Sequence, residues 1–440
     1  MRAGVLALFL AGGLAFGLVG CGGDPASVAS KDEVARACEE DFHGCVEYGP
    51  DDPVTIGALL WLSASADPSG LDAKRGTELA VDYLDGVFDA TAGEILAHPV
   101  RLGAVDDGCD QRQGRTGAEA LAEVRGLLAV VGTTCSSSAI DAAAEVFSEK
   151  GITLISPSNT APELTDPLLR EEFYFRTAPN DQIQGRVVGR FGARVARGGR
   201  AVAVTDRSAY SDSLVETFSD AFGKGRVDVV RVRQTDDAAA IRQALEGEVG
   251  GPTRPGAVYF PLIGDVCTEF VRAMDPDTAD SFITSDGCLN SEVLTAAGEQ
   301  GIEVYASGPE VRGLDDNLFY ESELLSAYRD QFGENPISVF HAHAFDAASL
   351  IFDAFRRTAL IQSDGSIAVP RTAFRDAVLE VAGYQGFSGR LTCLETGDCQ
   401  ERALISVYRS PAWPIEGGTE NARPIYARTE NLANFTVGED

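Results

Sequence analysis

Two hydroxyl-rich loops hold the residues best suited to gripping a small polar molecule: Gly132-Thr133-Thr134-Cys135-Ser136-Ser137-Ser138 and Ser156-Pro157-Ser158-Asn159-Thr160. Each follows a short apolar run, 128–131 and 153–155, that reads as a buried strand. In an open parallel α/β sheet such loops lie at the carboxyl ends of the strands, where crevices form. The first leads into a helical pattern at 139–150. Its backbone N–H groups and serine hydroxyls are therefore expected to accept an anion such as a carboxylate, with Ser137 or Ser138 capping that helix. This is binding chemistry. The sequence has no Gly-x-Ser-x-Gly elbow, no phosphate-binding P-loop and no dinucleotide glycine fingerprint with a suitable acid after it. No catalytic residue, cofactor or enzyme activity is expected. His341 and His343 flank Ala342, a spacing that does not share a helical face, and His43 and His98 stand alone, so no metal site is expected either.

The elements that must position these loops alternate regularly from Pro53 onward. Strands are expected at 54–60, 99–105, 128–131 and 153–155, separated by helices at 71–84, 117–125 and 139–150. A second series follows, with helices at 182–195, 213–222, 239–245 and 266–273 and strands at 201–205, 227–232, 257–260 and 281–284. Such βαβ repetition implies parallel sheets covered on both faces, hence two doubly wound α/β lobes. After a run at 302–306, helices at 322–332, 339–359 and 371–382 return the chain to the first lobe. Segments 389–392 and 404–408 read as a hairpin turning at Glu395-Thr396-Gly397-Asp398. The expected division is 1–20 leader, 21–52 tether with a short helix near 33–42, 53–178 and 312–385 first lobe, 179–311 and 386–410 second lobe, and 411–440 a surface tail.

The chain is long enough for two ordinary cores, and its composition narrows the partners. With Asp+Glu 67 against Lys+Arg 36, the net charge of −31 argues against nucleic acid and anionic lipid surfaces. The acidic residues are dispersed, as on a solvated surface. At the N-terminus Arg2 precedes an apolar run, 5–19, that ends at Leu18-Val19-Gly20-Cys21 and is short and glycine-rich for a membrane span. A small residue before cysteine at the end of such a run resembles the bacterial lipobox. That resemblance implies cleavage before Cys21 and lipid attachment to it, placing the folded body outside the cytoplasm on a membrane anchor. Cys38, Cys45, Cys109, Cys135, Cys267, Cys288, Cys393 and Cys399 remain, an even set that favours disulfides in an exported protein. Connectivity stays open from sequence; proximity suggests Cys38 with Cys45, Cys109 with Cys135, Cys267 with Cys288, and Cys393 with Cys399.

Several ordered segments carry a family likeness: Thr55-Ile56-Gly57-Ala58-Leu59, Asp106-Asp107-Gly108-Cys109-Asp110, the run from Val130-Val131-Gly132 through Ser138, Pro162-Glu163-Leu164-Thr165, and Phe175-Arg176-Thr177-Ala178-Pro179-Asn180-Asp181. Asp206 to Tyr210 and Gly386-Phe387-Ser388-Gly389 match more weakly. With these the chain resembles the type I periplasmic solute-binding proteins, in particular the leucine/isoleucine/valine-binding receptors of ATP-binding-cassette importers. The resemblance implies a ligand held between two lobes joined by a three-segment hinge, near 178–181, 308–313 and 386–389. It implies that Ser136 binds the α-carboxylate of an amino acid, and that Ser158 and Thr160 bind its carboxylate and ammonium groups. It further implies that Asp286 faces the ammonium and that Tyr210 closes over the ligand. The Cys109–Cys135 pairing also follows the family.

Elementary chemistry runs parallel to that likeness. A zwitterion needs donors at one end and a carboxylate at the other, and a hydrogen bond to a charged group contributes roughly 1.5 to 3 kcal/mol. Drawing the two poles from different lobes pulls the lobes together. Each residue also has a plainer reading: Ser158 and Thr160 as turn residues around the prolines, Asp286 before Gly287 as a turn aspartate, and Tyr210 as a helix-start aromatic packed on its own lobe. Trp61, ending the first strand, is either a wall of the side-chain pocket or a core plug. Residues 62–70 and Ile263 depart from the family pattern, which leaves the ligand's side chain open. The expected protein is a monomeric, lipid-anchored receptor that presents an amino acid or similar zwitterion to a membrane permease. The alternative is a sensing or envelope-interaction lipoprotein of the same fold.

Overall fold

In the computed structural model two α/β lobes stand side by side; the structure describes residues 28–435 apart from 64–66, 250–253, 313–318, 416–417 and 420–421. Cys21 and its leader lie outside the described residues, as does part of the expected crossing at 308–313.

The first lobe is built on a six-stranded sheet in the order Glu94–Ile95, His98–Asp106, Val54–Leu60, Leu127–Gly132, Thr153–Ser156, Tyr174–Arg176. All neighbours are parallel except the short edge pair. Its central strands are buried along their whole length, as a sheet covered on both faces requires. The second lobe has a seven-stranded sheet in the order Tyr426–Asn431, Arg402–Arg409, Val304–Pro309, Phe282–Thr284, Ala257–Tyr259, Ala201–Thr205, Val227–Arg231. Its last five strands are mutually parallel, and the first two join antiparallel.

The chain passes between the sheets three times. Tyr174–Arg176 leads through the helix Asp181–Val195 into the second sheet. After Val304–Pro309 the chain returns, and the helix His341–Thr358 packs into the first core with Ser69–Asp82. There Asp72 accepts hydrogen bonds from the backbone N–H groups of Phe340 and His341 at 3.0 and 2.8 Å. The third passage brings Arg402–Arg409 back to the second sheet.

Four local expectations are corrected. Residues 389–392 and 404–408 do not form a hairpin: Gly389–Thr392 pairs with Ala382–Gly386, and Arg402–Arg409 pairs on both sides within the second sheet. The presumed turn instead docks beside the edge strand of the first sheet, where the Arg176 guanidinium bonds Asp398 at 2.7 Å. The tail is not merely laid on the surface, since Tyr426–Asn431 adds an edge strand and Trp413 is fully buried. The tether contributes a helix, Lys31–Glu40, and a strand, Cys45–Tyr48, that pairs with Ile367–Pro370 of the first lobe. Finally, 139–150 is not one helix: Ile140 and Asp141 leave helical geometry, with Asp141 at φ +49°, and a regular helix resumes only at Ala144–Glu149. The four disulfides are those that proximity suggested.

Candidate functional site

One wall of the cleft is the loop after Leu127–Gly132. Gly132 is required there, because a Cβ would come within 2.2 Å of the Leu59 carbonyl oxygen. The buried carboxylate of Asp107 holds the loop, accepting from the N–H groups of Cys109 at 2.8 Å and Thr134 at 2.7 Å. Burial pushes that carboxyl up to about 7. The Cys109–Cys135 disulfide ties the same two segments. The loop's hydroxyls mostly point inward. Ser137 donates to the Cys109 carbonyl at 3.0 Å, Ser138 to the Asp107 carbonyl at 3.4 Å, and Ser158 to the Thr134 carbonyl at 3.0 Å. None of them caps a helix, which corrects the capping expectation. With the following helix broken, the anion-binding power of a long helix N-terminus is also absent. Ser136 differs: its Oγ accepts from the Ala161 N–H at 3.2 Å, so its own proton remains to donate.

The opposite wall comes from the second lobe. Tyr210, in the first turn of the helix Ala209–Phe222, has its hydroxyl 2.7 Å from Ser285 Oγ, and it accepts from the Gly287 N–H at 3.0 Å. The phenol thereby fixes the turn Asp286–Cys288, and the disulfide to Cys267 secures its far end. One Asp286 oxygen accepts from Gln184 Nε2 of the helix Asp181–Val195. Burial pushes Asp286 up to about 6, and the charge of Asp67 on the other lobe adds to it. Asp181 is pushed up to about 7, again chiefly by burial and then by the charge of Asp286.

These walls enclose a narrow cavity of ≈ 420 Å³ counting its open mouth. Ser136, Ser158, Tyr210 and Asp286 all line it, joined by Ser69 and Phe340 from the first lobe and Ser208, Gln234 and Ile263 from the second. Tyr210 also belongs to the apolar cluster of its own lobe, as its plainer reading expects. Thr160 is not brought to this surface. It is buried, its carbonyl accepts from the Asp181 N–H at 2.9 Å, and its hydroxyl faces Asp181 without closing a hydrogen bond. Trp61 is neither pocket wall nor core plug. A methyl group at Gly264 of the second lobe would sit 3.0 Å from its Cη2, which makes it a half-buried contact between the lobes.

Gln184, which bonds Asp286, and the cavity-lining Ser69, Gln234 and Phe340 escaped sequence reasoning. Ser69 lies within Asp67-Pro68-Ser69-Gly70, which reads as an ordinary turn. The histidines serve structure: His341 is held by Asp72 and Tyr320, and His343 Nδ1 by the Thr177 carbonyl at 2.9 Å. Burial lowers His343 to about 4, so it is neutral.

Two doubly wound lobes with apposed loops at a shared cleft define a two-lobed α/β solute-binding protein, a class that grips ligands and does not transform them. The family described as periplasmic binding protein matches residues 53–403, and the chain belongs to it. Membership implies an extracytoplasmic location. Among relatives, the Leu/Ile/Val-binding protein BraC3 of Rhizobium johnstonii is 29% identical over 368 residues, 82% of this chain and 93% of that one. An amino acid binding protein of Pseudomonas aeruginosa is 29% identical over 51% of this chain, a match that spans 58% of that relative's length. Among solved structures, the branched-chain amino acid transporter substrate binding protein LivJ of Streptococcus pneumoniae, in complex with isoleucine, superposes with a TM-score of 0.69. It shares 19% identity, covering 86% of this chain and all of the other. The leucine binding protein LivK of Thermotoga maritima gives a TM-score of 0.66 at 19% identity, covering 86% of this chain and 97% of that one.

Proposed function

We propose that the chain is a lipid-anchored receptor that captures an amino acid or similar small zwitterion between its lobes and delivers it to an ATP-binding-cassette permease. The observation that carries this reading is the meeting of Ser136 and Asp286, from different lobes, on one cavity. Ser136 offers a proton to the carboxylate, and Asp286 offers a buried anion to the ammonium. The ligands named for the relatives, amino acids and leucine, isoleucine and valine among them, point the same way. Anchoring rests on Cys21 and is tested by incorporation of labelled palmitate, which a Cys21→Ser variant must lose.

Trp61 and Trp413 are the two tryptophans, and only Trp61 sits between the lobes. Titration with the common amino acids should therefore change Trp61 emission as the lobes close. Ser136→Ala removes one donor to a charged group, about 1.5 kcal/mol or roughly tenfold in Kd, with the fold retained. Unaltered affinity in that variant would remove the serine loop from the site, and silence toward every amino acid would refute the zwitterion reading.

A further inference from the structure

A carboxylate has two oxygens to satisfy, and none of the described residues lining the cavity is basic. Neutral donors must therefore hold the anionic pole, and the Ser136 hydroxyl supplies one proton, enough for one oxygen. Thr134 carries a second. It is buried, lines the same cavity and lies two residues before Ser136 on the same loop. Cys135 between them is extended, at φ −94° and ψ 140°, so the side chains of Thr134 and Ser136 leave the chain on one side. At the rise of an extended chain they stand about 6.6 Å apart, a span that one carboxylate bridges through two hydroxyl bonds of about 2.5–2.7 Å. Their wiring is alike. Thr134 Oγ1 accepts from the Trp61 N–H at 2.8 Å, at the end of the first strand, and Ser136 Oγ accepts from the Ala161 N–H at 3.2 Å, in the second hydroxyl-rich loop. A hydroxyl whose oxygen takes a backbone proton still has its own to give, and among the described residues neither of these two donates it. Ser137 and Ser158 also line the cavity, but their protons are spent on the carbonyls of Cys109 and Thr134. The Thr134 backbone is fixed as well, its N–H bonded to Asp107 and its neighbour tied by the Cys109–Cys135 disulfide.

We infer that Thr134 and Ser136 form a two-hydroxyl clamp, each donating its proton to one oxygen of the ligand's carboxylate, so that Thr134 helps to decide which ligands are held. This rests on the reading that Ser136 binds the anionic pole. Two hydroxyls whose oxygens already accept backbone protons suit a free carboxylate, which accepts at both oxygens. They do not suit a primary carboxamide, whose nitrogen only donates and would face a second donor. The clamp therefore selects ligands with an unblocked carboxylate.

The test is calorimetric titration of the full chain with the common amino acids, in wild type, Ser136→Ala, Thr134→Val and Thr134→Ser. The tightest of them is then taken as its primary amide, and also labelled with carbon-13 at its carboxyl carbon for NMR of the complex. A thermal melt checks each fold, and Thr134→Ala replaces the valine variant if that one does not fold. Thr134→Val should weaken the amino acid about tenfold or more and move the bound carboxyl resonance, as Ser136→Ala does, and Thr134→Ser should restore both. The wild type should hold the amino acid about tenfold or more above its primary amide. Weakened binding with an unmoved resonance in Thr134→Val would make Thr134 a prop of the loop and overturn the inference, and equal affinity for the amide would overturn it too. Unchanged readouts in Thr134→Val with Ser136→Ala affected overturn this inference alone. Unchanged readouts in both remove the loop from the site, and failure of every amino acid to bind overturns the clamp and the zwitterion reading together.

Discussion

Replacing Asp286 by asparagine should push affinity and stability in opposite directions. Asparagine preserves an acceptor for Gln184 Nε2 and the shape of the turn that Tyr210 and the Cys267–Cys288 disulfide hold. What disappears is a charge. In the ligand-free protein that charge is costly, because burial raises Asp286 from 3.8 to about 6. At about 1.4 kcal/mol per pKa unit the folded state disfavours the ionised form by on the order of 3 kcal/mol. Part of that is repulsion shared with Asp67 and Asp181. The variant should therefore melt several degrees higher near neutral pH without ligand. Binding should suffer, since a hydrogen bond from an ammonium to a carboxylate contributes about 1.5–3 kcal/mol, or roughly 10- to 100-fold in Kd. Scanning calorimetry of the apo protein and Trp61-monitored titration read the two effects separately. Unchanged affinity would show that Asp286 does not touch the ligand. A destabilised apo protein would show instead that its charge is a structural partner, and the argument from buried like charges would fall with it.

Two other outcomes follow from the same electrostatics and from the staples. Asp107, Asp181 and Glu310 are raised to about 7 and Asp286 and Asp346 to about 6, in each case chiefly by burial. A carboxyl raised on folding binds its proton more tightly in the native state, so its stabilising contribution is full below the unfolded value near 4 and is lost as pH rises through 6 to 7. Apo stability in urea should therefore increase on acidification from about pH 7.5 to about pH 5, while ligand affinity falls below about pH 6 as Asp286 protonates; a pH-independent Kd across that range would contradict the assignment. Replacing Cys267 and Cys288 by serine should cost about 3 kcal/mol of second-lobe stability and weaken binding, because the turn bearing Asp286 loses one of its two anchors. Full retention of affinity in that variant, measured on the folded fraction, would show that Tyr210 alone sets the turn.

The parallel cores were legible because they depend on local periodicity: buried strands read as continuous apolar runs, and the loops at their carboxyl ends read as Gly, Ser, Thr and Asp. Elements whose existence depends on a distant partner were not. Cys45–Tyr48 and Tyr426–Asn431 become strands only because Ile367–Pro370 and Arg402–Arg409 present free edges, and neither segment declares that edge in its own sequence. The mistaken hairpin has the same origin, since the turn-like residues 395–398 answer to Arg176, more than two hundred positions away. Of the residues on the cavity wall, Ser136, Ser158, Tyr210 and Asp286 are legible through motif position. Ser69 was hidden by the turn chemistry of its neighbours, and Gln184 by lying on the inner face of a helix whose pattern looked purely structural.

The pattern of used and unused hydrogen bonds tells what kind of discrimination this cleft can exercise. On the first wall Thr133, Ser137, Ser138 and Ser158 all donate to carbonyls of their own lobe, and on the second Tyr210, Ser285 and Gln184 hold the turn of Asp286. These bonds exist whether or not a ligand is gripped, so they make the walls rigid and lower the ordering cost of binding. What remains for the ligand is sparse: the hydroxyl protons of Ser136 and Thr134 on the first wall, and the Asp286 carboxylate on the second. A site with so few free groups selects first by the spacing of the ligand's anionic and cationic poles, so an amino acid methyl ester or a decarboxylated amine should bind far more weakly than the parent amino acid in the same titration.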